Sequence, residues 1–157
     1  MVLNIGAGEA GSKLDKAIKL LSSLSNQKPI ATTSKKRIPT WGLRPGLTIG
    51  AKVTIRKNSE ELLKNMFVAV NNSLDVNKIG EGEFSFGIAE YIHIPKAKYD
   101  AEIGIIGLGV MVVLERPGFR IKRRTYQKRS IPTRHKITKE ETMEYLKTNF
   151  NIKFKEQ

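Results

Sequence analysis

The sequence contains no cysteine and only two histidines, His93 and His135. Without cysteine the chain can form neither a disulfide bond nor a thiolate metal site. His93 lies in an apolar stretch that predicts a structural role in a strand, and His135 lies among cations. Neither has metal-ligand spacing to other donors, and no grouping of a nucleophile with a base is present. We therefore expect no metal, no cofactor and no catalytic residue, which describes a protein that is not an enzyme.

Long hydrophobic runs are also missing from the chain. No apolar stretch approaches the roughly 18 residues that a membrane-spanning helix needs. The opening residues MVLNIGAGEAG lack the charged start and apolar centre of a signal peptide. These features favour a cytoplasmic protein with no membrane partner. The 157 residues, 39% of them hydrophobic, are enough to build a buried core, and we expect a single domain over 1–157.

Acidic residues are missing from two long segments, although the whole chain carries a net charge of +13. Segment 28–57 contains eight lysines and arginines and no acid, and segment 116–139 contains ten and no acid. The rest of the chain has more acidic than basic side chains. Ordinary surfaces mix the two signs, so this segregation predicts binding to a polyanion rather than an idle basic surface.

Residues 6–11 read Gly-Ala-Gly-Glu-Ala-Gly and match the glycine pattern of dinucleotide-binding proteins. That fold also requires an acid about 20 residues further on for the ribose, and no acid lies between Asp15 and Glu60. The cations at 35–37 could instead hold a 2′-phosphate, so an NADP-linked oxidoreductase stands as one rival hypothesis. A turn that needs glycine for positive φ is the better account.

Periodicity predicts an α+β fold: a mostly antiparallel sheet with helices packed on one face and the other face open for RNA. We expect strands at 2–5, 29–33, 49–56, 84–94 and 108–114, and helices at 12–24, 59–70 and 138–149. Ser12 and Asn58 are the expected N-caps of the first two helices, and the third has the form of a capping box. Alternation places Lys52, Thr54, Arg56 and Asn4 on the open face.

Residues 34–47 predict a long loop, since two prolines, two glycines and four cations fall within it. Trp41 lies between Arg37 and Arg44. Two interpretations remain open: a buried tryptophan, or a mobile loop tip whose aromatic and cationic groups contact RNA.

The basic extension 116–139 shows no clear periodicity and lies between a core strand and a capped helix. It could be a disordered tail. Because both of its ends are anchored, we favour an extended loop that becomes ordered on RNA, with Arg123, Arg124, Lys128 and Arg129 on phosphates.

Several long motifs together resemble a known family. They are VLNIGAGE, NQKPIATTSKKRI, WGLRPGLTIG and AKVTIR, then FSFGIAEYIHIP, YDAEIGIIGLGVMVVLERPGFRI and finally RRT with HKITKEE. In this order they resemble large-subunit ribosomal protein five, the universal 5S rRNA-binding family, and the last motifs resemble its archaeal type. The resemblance covers essentially the whole chain.

The resemblance implies a structural constituent of the large ribosomal subunit that binds 5S rRNA and helps attach it to 23S rRNA in the central protuberance. It also implies a loop contact to P-site tRNA, an intersubunit bridge to a small-subunit head protein, and neighbouring 5S-associated ribosomal proteins. The expected 5S rRNA-binding residues are Asn4, Gln27, Lys28, Lys52, Thr54 and Arg56. The expected loop residues are Lys35, Lys36, Arg37, Trp41 and Arg44, and those of the basic segment are Arg120, Lys122, Arg123, Arg124, Lys128 and Arg129.

Charge alone leaves a second rival hypothesis, a basic protein that compacts DNA. A DNA-compacting protein would bind duplex DNA as tightly as folded RNA, because contacts between cations and phosphates carry no sequence information.

Overall fold

The computed structural model describes residues 1–8, 11–95 and 97–155. The chain divides into two compact units. The first comprises Met1–Asn71 and Gly87–Val110, and the second comprises Asn72–Phe86 and Met111–Gln157. The single domain over 1–157 that the sequence favours stays a prediction.

Seven strands and four α-helices form the described structure. They are β1 (Val2–Gly6), α1 (Ser12–Ser25), β2 (Ile30–Thr33), β3 (Thr48–Thr54), α2 (Ser59–Ala69), β4 (Ser73–Asp75), β5 (Glu83–Ile88), β6 (Leu108–Val113), α3 (Arg120–Arg123), α4 (Lys139–Phe150) and β7 (Lys153–Lys155). Short 3₁₀ helices lie at Pro39–Trp41, Val76–Lys78, Tyr91–His93 and Thr133–His135. Five strands form one sheet in the order β2-β3-β1-β6-β5, and β4 pairs with β7. The predicted α+β class is confirmed.

In the first unit, β3 is the centre of an antiparallel set with β1 and β2. Strand residues alternate between buried and exposed, so Leu3 and Val53 face the core together while their neighbours face solvent. Helix α1 packs against β3 through an apolar face that includes Ala17 and Leu21. One face of these strands is therefore covered and the opposite face is open.

The ends of α1 differ from the prediction. Gly11, with φ of 126°, is the N-cap, and Ser12 is the first helical residue instead of a side-chain cap. The helix ends before Pro29 because Asn26 takes the left-handed conformation and its N–H bonds to the Ser22 carbonyl. Asn58 likewise makes no side-chain cap to α2, since its own φ is positive.

Positive φ at Gly8 and Gly11 agrees with a glycine-dependent turn between β1 and α1. Two members of the motif, Glu9 and Ala10, lie outside the described residues. The N–H groups of Ala7 and Gly8 both bond to the Ile49 carbonyl, so this part of the glycine segment continues the contacts of β1 with β3.

The strand predicted over 84–94 is too long, because β5 ends at Ile88. His93 therefore lies in a 3₁₀ helix and is exposed, and its prediction as a strand residue is wrong. Apolar residues continue past the strand because Tyr91 is buried in the 3₁₀ helix. There its hydroxyl accepts a hydrogen bond from the Asp100 N–H at 3.1 Å.

In the second unit, α4 begins at the capping box that the sequence predicts. Thr138 accepts a hydrogen bond from the Glu141 N–H, and the Glu141 carboxylate accepts one from the Thr138 N–H. Thr142 on this helix is fully buried. Its hydroxyl donates to the Thr138 carbonyl at 2.9 Å and accepts from the Gly82 N–H at 3.2 Å. These bonds fix the start of α4 to the turn before β5.

Candidate nucleic-acid interface

The open face of the sheet in the first unit carries a row of polar side chains. Asn4 on β1 lies directly opposite Lys52 on β3, and Val2 lies opposite Thr54. Asn4, Lys52 and Thr54 are exposed, as the alternation predicts. Opposite residues of antiparallel strands have side chains about 5 Å apart on one face. An amide, an ammonium and a hydroxyl therefore stand side by side on one surface.

Two further residues of this face carry no polar side chain. Ile30 lies opposite Lys52 on the other side of β3 and is 64% exposed. On β6, a Cβ at Gly109 would lie 3.7 Å from the Asn4 carbonyl oxygen, so glycine leaves the sheet flat beside Asn4. The sequence-based prediction missed both, because neither IATT in β2 nor LGVMVV in β6 alternates between polar and apolar residues.

The remaining three residues expected to bind 5S rRNA are exposed at the ends of elements. Gln27 and Lys28 follow α1, and Arg56 follows β3. Gln27 also lines a cavity of about 530 Å³ together with Asn58 and Asn65. They lie outside the paired rows of the strands, so strand register does not bring them together with Asn4.

The loop 34–47 is a hydrogen-bonded structure. Its base is closed by the Ser34 N–H to the Leu47 carbonyl at 2.8 Å, and its tip by two backbone bonds between Ile38 and Leu43. Trp41 ends a 3₁₀ turn at this tip and is 73% exposed. The interpretation of Trp41 as a buried residue is therefore wrong. The loop cations Lys35, Lys36, Arg37 and Arg44 are exposed as well.

The basic segment 116–139 contains local structure instead of the featureless loop that the sequence suggests. It includes α3 and the 3₁₀ helix Thr133–His135. A ring nitrogen of His135 lies 2.9 Å from the Pro117 carbonyl, and the ring lies 5.7 Å from that of Phe119. The six predicted residues are exposed: Arg120, Lys122, Arg123, Arg124, Lys128 and Arg129.

Two arginines at the start of this region are paired with acids that lie outside the acid-free stretch. Arg116 Nη2 lies 2.6 Å from Glu141 Oε1, and Arg123 pairs with Glu115. These contacts reduce the charge that the two guanidinium groups offer to a phosphate, so Arg120 and Arg124 are the more available cations near α3.

Within the described ranges, no group of three or more histidine, cysteine or acidic side chains could hold a metal ion. In the same ranges, no helix combines the length and apolar character needed to cross a membrane.

An α+β fold with an exposed row of polar groups and two exposed cationic segments is typical of nucleic-acid-binding proteins. Comparison with known proteins identifies the family. Residues 1–44 match the family model of ribosomal protein L5, and residues 48–153 match the model of the C-terminus of the same ribosomal family. The chain belongs to the ribosomal protein L5 family.

Curated archaeal relatives, each called large ribosomal subunit protein uL5, are similar over nearly their whole length. The protein of Sulfurisphaera tokodaii is 48% identical over 97% of this chain and 88% of the relative. The protein of Nanoarchaeum equitans is 44% identical over 97% of this chain and 91% of the relative. The protein of Archaeoglobus fulgidus is 44% identical over 94% of this chain and 84% of the relative. The resemblance to the archaeal type is confirmed.

Membership of this family makes the chain a structural constituent of the large ribosomal subunit, located with the ribosome in the cytoplasm, and not an enzyme. The oxidoreductase hypothesis drawn from the glycine motif is therefore set aside.

Proposed function

We propose that this chain binds 5S rRNA through the open face of β1, β2 and β3 and helps attach it to 23S rRNA in the central protuberance. The observation that carries the proposal is the direct pairing of exposed Asn4 with exposed Lys52 on an uncovered sheet face. Amide and hydroxyl groups can exchange hydrogen bonds with 2′-hydroxyls and base edges, and the ammonium can neutralise a phosphate.

The exposed cations support a large electrostatic contribution to the affinity for RNA. Lys28, Lys52 and Arg56 are exposed near the open face, and the basic segment adds further exposed cations. Neutralising about six phosphates would make log affinity fall with log salt concentration at a slope of about −4 to −5. The basic segment 116–139 is assigned to rRNA on this ground.

The exposed loop 34–47 supports a contact with the P-site tRNA. Trp41 and four cations of this loop are exposed, and aromatic and cationic groups together suit the surface of a folded RNA. The family resemblance adds a bridge to a small-subunit head protein and contacts with neighbouring 5S-associated proteins.

Competition between 5S rRNA and duplex DNA of equal length tests the main proposal. The full chain is titrated with labelled 5S rRNA at physiological salt, and each competitor is added in turn. We expect 5S rRNA to displace the label at a concentration at least tenfold lower than duplex DNA. Equal displacement would favour the DNA-compacting alternative and contradict specific 5S binding.

A further inference from the structure

The basic segment presents one aromatic side chain that the charge pattern does not reveal. Tyr126 lies beyond the end of α3 in the second unit and is 79% exposed. A single exposed aromatic residue is ordinary on a protein surface. Tyr126 differs from such a residue because a hydrogen-bonded turn holds its backbone and cationic side chains lie around it.

The backbone around Tyr126 is tied at both ends. Arg124 Nε donates to the Gln127 carbonyl at 2.9 Å, and the Arg129 N–H donates to the Ile121 carbonyl at 3.3 Å. Gln127 has φ of 49°, a conformation that residues with a Cβ adopt uncommonly. The turn therefore holds the tyrosine on a defined backbone, which lowers the ordering cost of binding a ligand.

Tyr126 lines a concave surface of about 450 Å³ together with three arginines of α3 and its end. The lining residues are Arg120, Arg123, Arg124, Thr125, Tyr126 and Gln127. All six lining residues are exposed, so the surface is open to solvent and could contact one face of a ligand. The combination is chemically specific, because an aromatic ring offers its face to a base while guanidinium groups bind phosphate oxygens.

The three arginines are not equivalent. Arg123 pairs with Glu115, and the guanidinium of Arg124 is oriented by its bond to the Gln127 carbonyl. Of the three arginines that line this surface, Arg120 and Arg124 thus keep more of their charge for a phosphate than Arg123 does.

We propose that Tyr126, Arg120 and Arg124 form a subsite for one unstacked nucleotide of single-stranded RNA. The base stacks on the tyrosine ring and its phosphate binds the two arginines. The inference rests on the proposed RNA-binding function and adds to it a residue that reads the presence of a base rather than charge alone. Base stacking on an aromatic side chain contributes enough to change affinity about tenfold.

The test compares two labelled RNAs that carry the same phosphates. One is a single-stranded oligouridine of about eight nucleotides, and the other has the same backbone with an abasic site at each position. Binding to the full chain is followed by fluorescence anisotropy at about 50 mM salt. We expect the natural chain to prefer the RNA with bases by about tenfold. Tyr126→Ala should reduce that preference several-fold, leaving only the part that stacking on exposed Trp41 contributes, and Tyr126→Phe should keep it within about twofold.

Tyr99 supplies the matched control, since it is 60% exposed and lies outside the basic segment. Tyr99→Ala should leave the preference for bases unchanged. Equal behaviour of Tyr126→Ala and Tyr99→Ala would overturn the subsite. A second outcome would also overturn the subsite. If oligoglutamate displaced the RNA from the natural chain as well as unlabelled RNA does, but did not do so from Tyr126→Ala, the surface would be a site for acidic peptides.

Binding of the natural chain to 5S rRNA is measured in parallel. If that binding fails, the proposed function is wrong whatever Tyr126 does. If the natural chain binds 5S rRNA and Tyr126→Ala changes the binding of neither oligonucleotide, only the subsite is wrong. Urea unfolding midpoints of the variants show whether each one folds as the natural chain does.

Discussion

Asn4 and Lys52 face each other across β1 and β3, and both side chains are exposed on the open face. The pair combines an amide that can donate and accept hydrogen bonds with an ammonium that can only donate. Charge on Lys52 attracts any polyanion, whereas the amide of Asn4 and the hydroxyl of Thr54 require partners at defined positions. We therefore expect discrimination among nucleic acids to depend on the uncharged residues of this face.

Asn4→Ala, Gln27→Ala and Thr54→Ala should each weaken 5S rRNA binding by about 1–3 kcal/mol, because each leaves an RNA group unpaired in the interface. Filter binding at fixed salt measures the loss. Asn149→Ala serves as the control, since Asn149 is exposed on α4 and belongs to the second unit. Losses as small as that of Asn149→Ala at Asn4 and Thr54 would mean that the sheet face is not the binding site, and an equally small loss at Gln27 would remove the end of α1 from it.

Gly50→Ala should destabilise the fold by about 1–3 kcal/mol through overpacking. A Cβ at Gly50 would lie 2.8 Å from the Ile5 carbonyl oxygen and 3.0 Å from Thr32 Oγ1, and the carbonyl oxygen belongs to backbone that cannot easily move. Urea unfolding followed by circular dichroism measures the change.

Gly6 provides the control for Gly50, because it lies directly opposite in the same pair of strands. Apart from its chain neighbours, none of the described residues has a heavy atom within 4 Å of the position that a Cβ would take at Gly6. Gly6→Ala should therefore be neutral or stabilising by up to about 1 kcal/mol, since alanine restricts the unfolded chain. Equal destabilisation by both substitutions would contradict the steric explanation.

Thr142→Val should destabilise the fold by about 1–3 kcal/mol, because the buried Gly82 N–H loses its acceptor at 3.2 Å. Thermal or urea unfolding measures the loss, and Thr142→Ser, which keeps the hydroxyl, should recover part of it. Thr148→Val makes the same change at an exposed position of α4 and should stay within about 0.5 kcal/mol. A stable Thr142→Val protein would show that the hydroxyl is dispensable.

Elements with a local signal could be predicted from the sequence. Alternation along 49–56 identified β3 and the exposed Lys52 and Thr54, and the pattern from Thr138 to Glu141 identified the start of α4. In each case neighbouring residues alone determine the structure. The strands β4 and β7, three residues each, are too short to produce a periodic signal and exist only because they pair with each other.

Features that depend on distant partners could not be predicted. The composition of loop 34–47 is compatible with a buried or an exposed Trp41, and only the folded structure shows that it is exposed, at a tip closed by two backbone bonds between Ile38 and Leu43. From the sequence, all the cations of the acid-free segment 116–139 look available to a phosphate. In the structure, however, Arg116 pairs with Glu141, which lies 25 positions further along the sequence. Tyr126 stands in an unpatterned segment, so nothing in the local sequence marks it.

Acid should weaken the natural chain more than a variant without the Asp100 carboxylate. Hydrogen bonding to Lys19, whose Nζ lies 3.0 Å from Asp100 Oδ2, holds the pKa of Asp100 below its ordinary value of 3.8, and the Glu102 N–H adds to this effect. On acidification the unfolded chain therefore binds a proton at Asp100 before the folded chain does. The free energy that ionised Asp100 contributes to folding is lost as the pH falls from the ordinary pKa of 3.8 through the lowered pKa.

Urea midpoints measured between about pH 6 and pH 2.5 test this sign. Asp100→Asn should be slightly less stable than the natural chain near pH 6 and should lose less stability on acidification. The groups are exposed, so the difference should be small and should shrink in high salt. Glu144→Gln on α4 controls for loss of one acid, and parallel pH curves for Asp100→Asn and the natural chain would contradict the ion pair's role.

Substitutions in loop 34–47 should separate the proposed tRNA contact from 5S binding. Trp41→Ala and the combined change of Lys35, Lys36 and Arg37 to alanine alter exposed side chains and leave the bonds of Ser34, Ile38 and Leu43 in place. We expect 5S rRNA affinity to change less than about threefold, because the open sheet face is intact. Ribosomes assembled with either variant should release P-site tRNA faster, since stacking and phosphate contacts are lost. Unchanged release with both variants would remove the loop from the tRNA site, whereas a large loss of 5S affinity would place it on 5S rRNA instead.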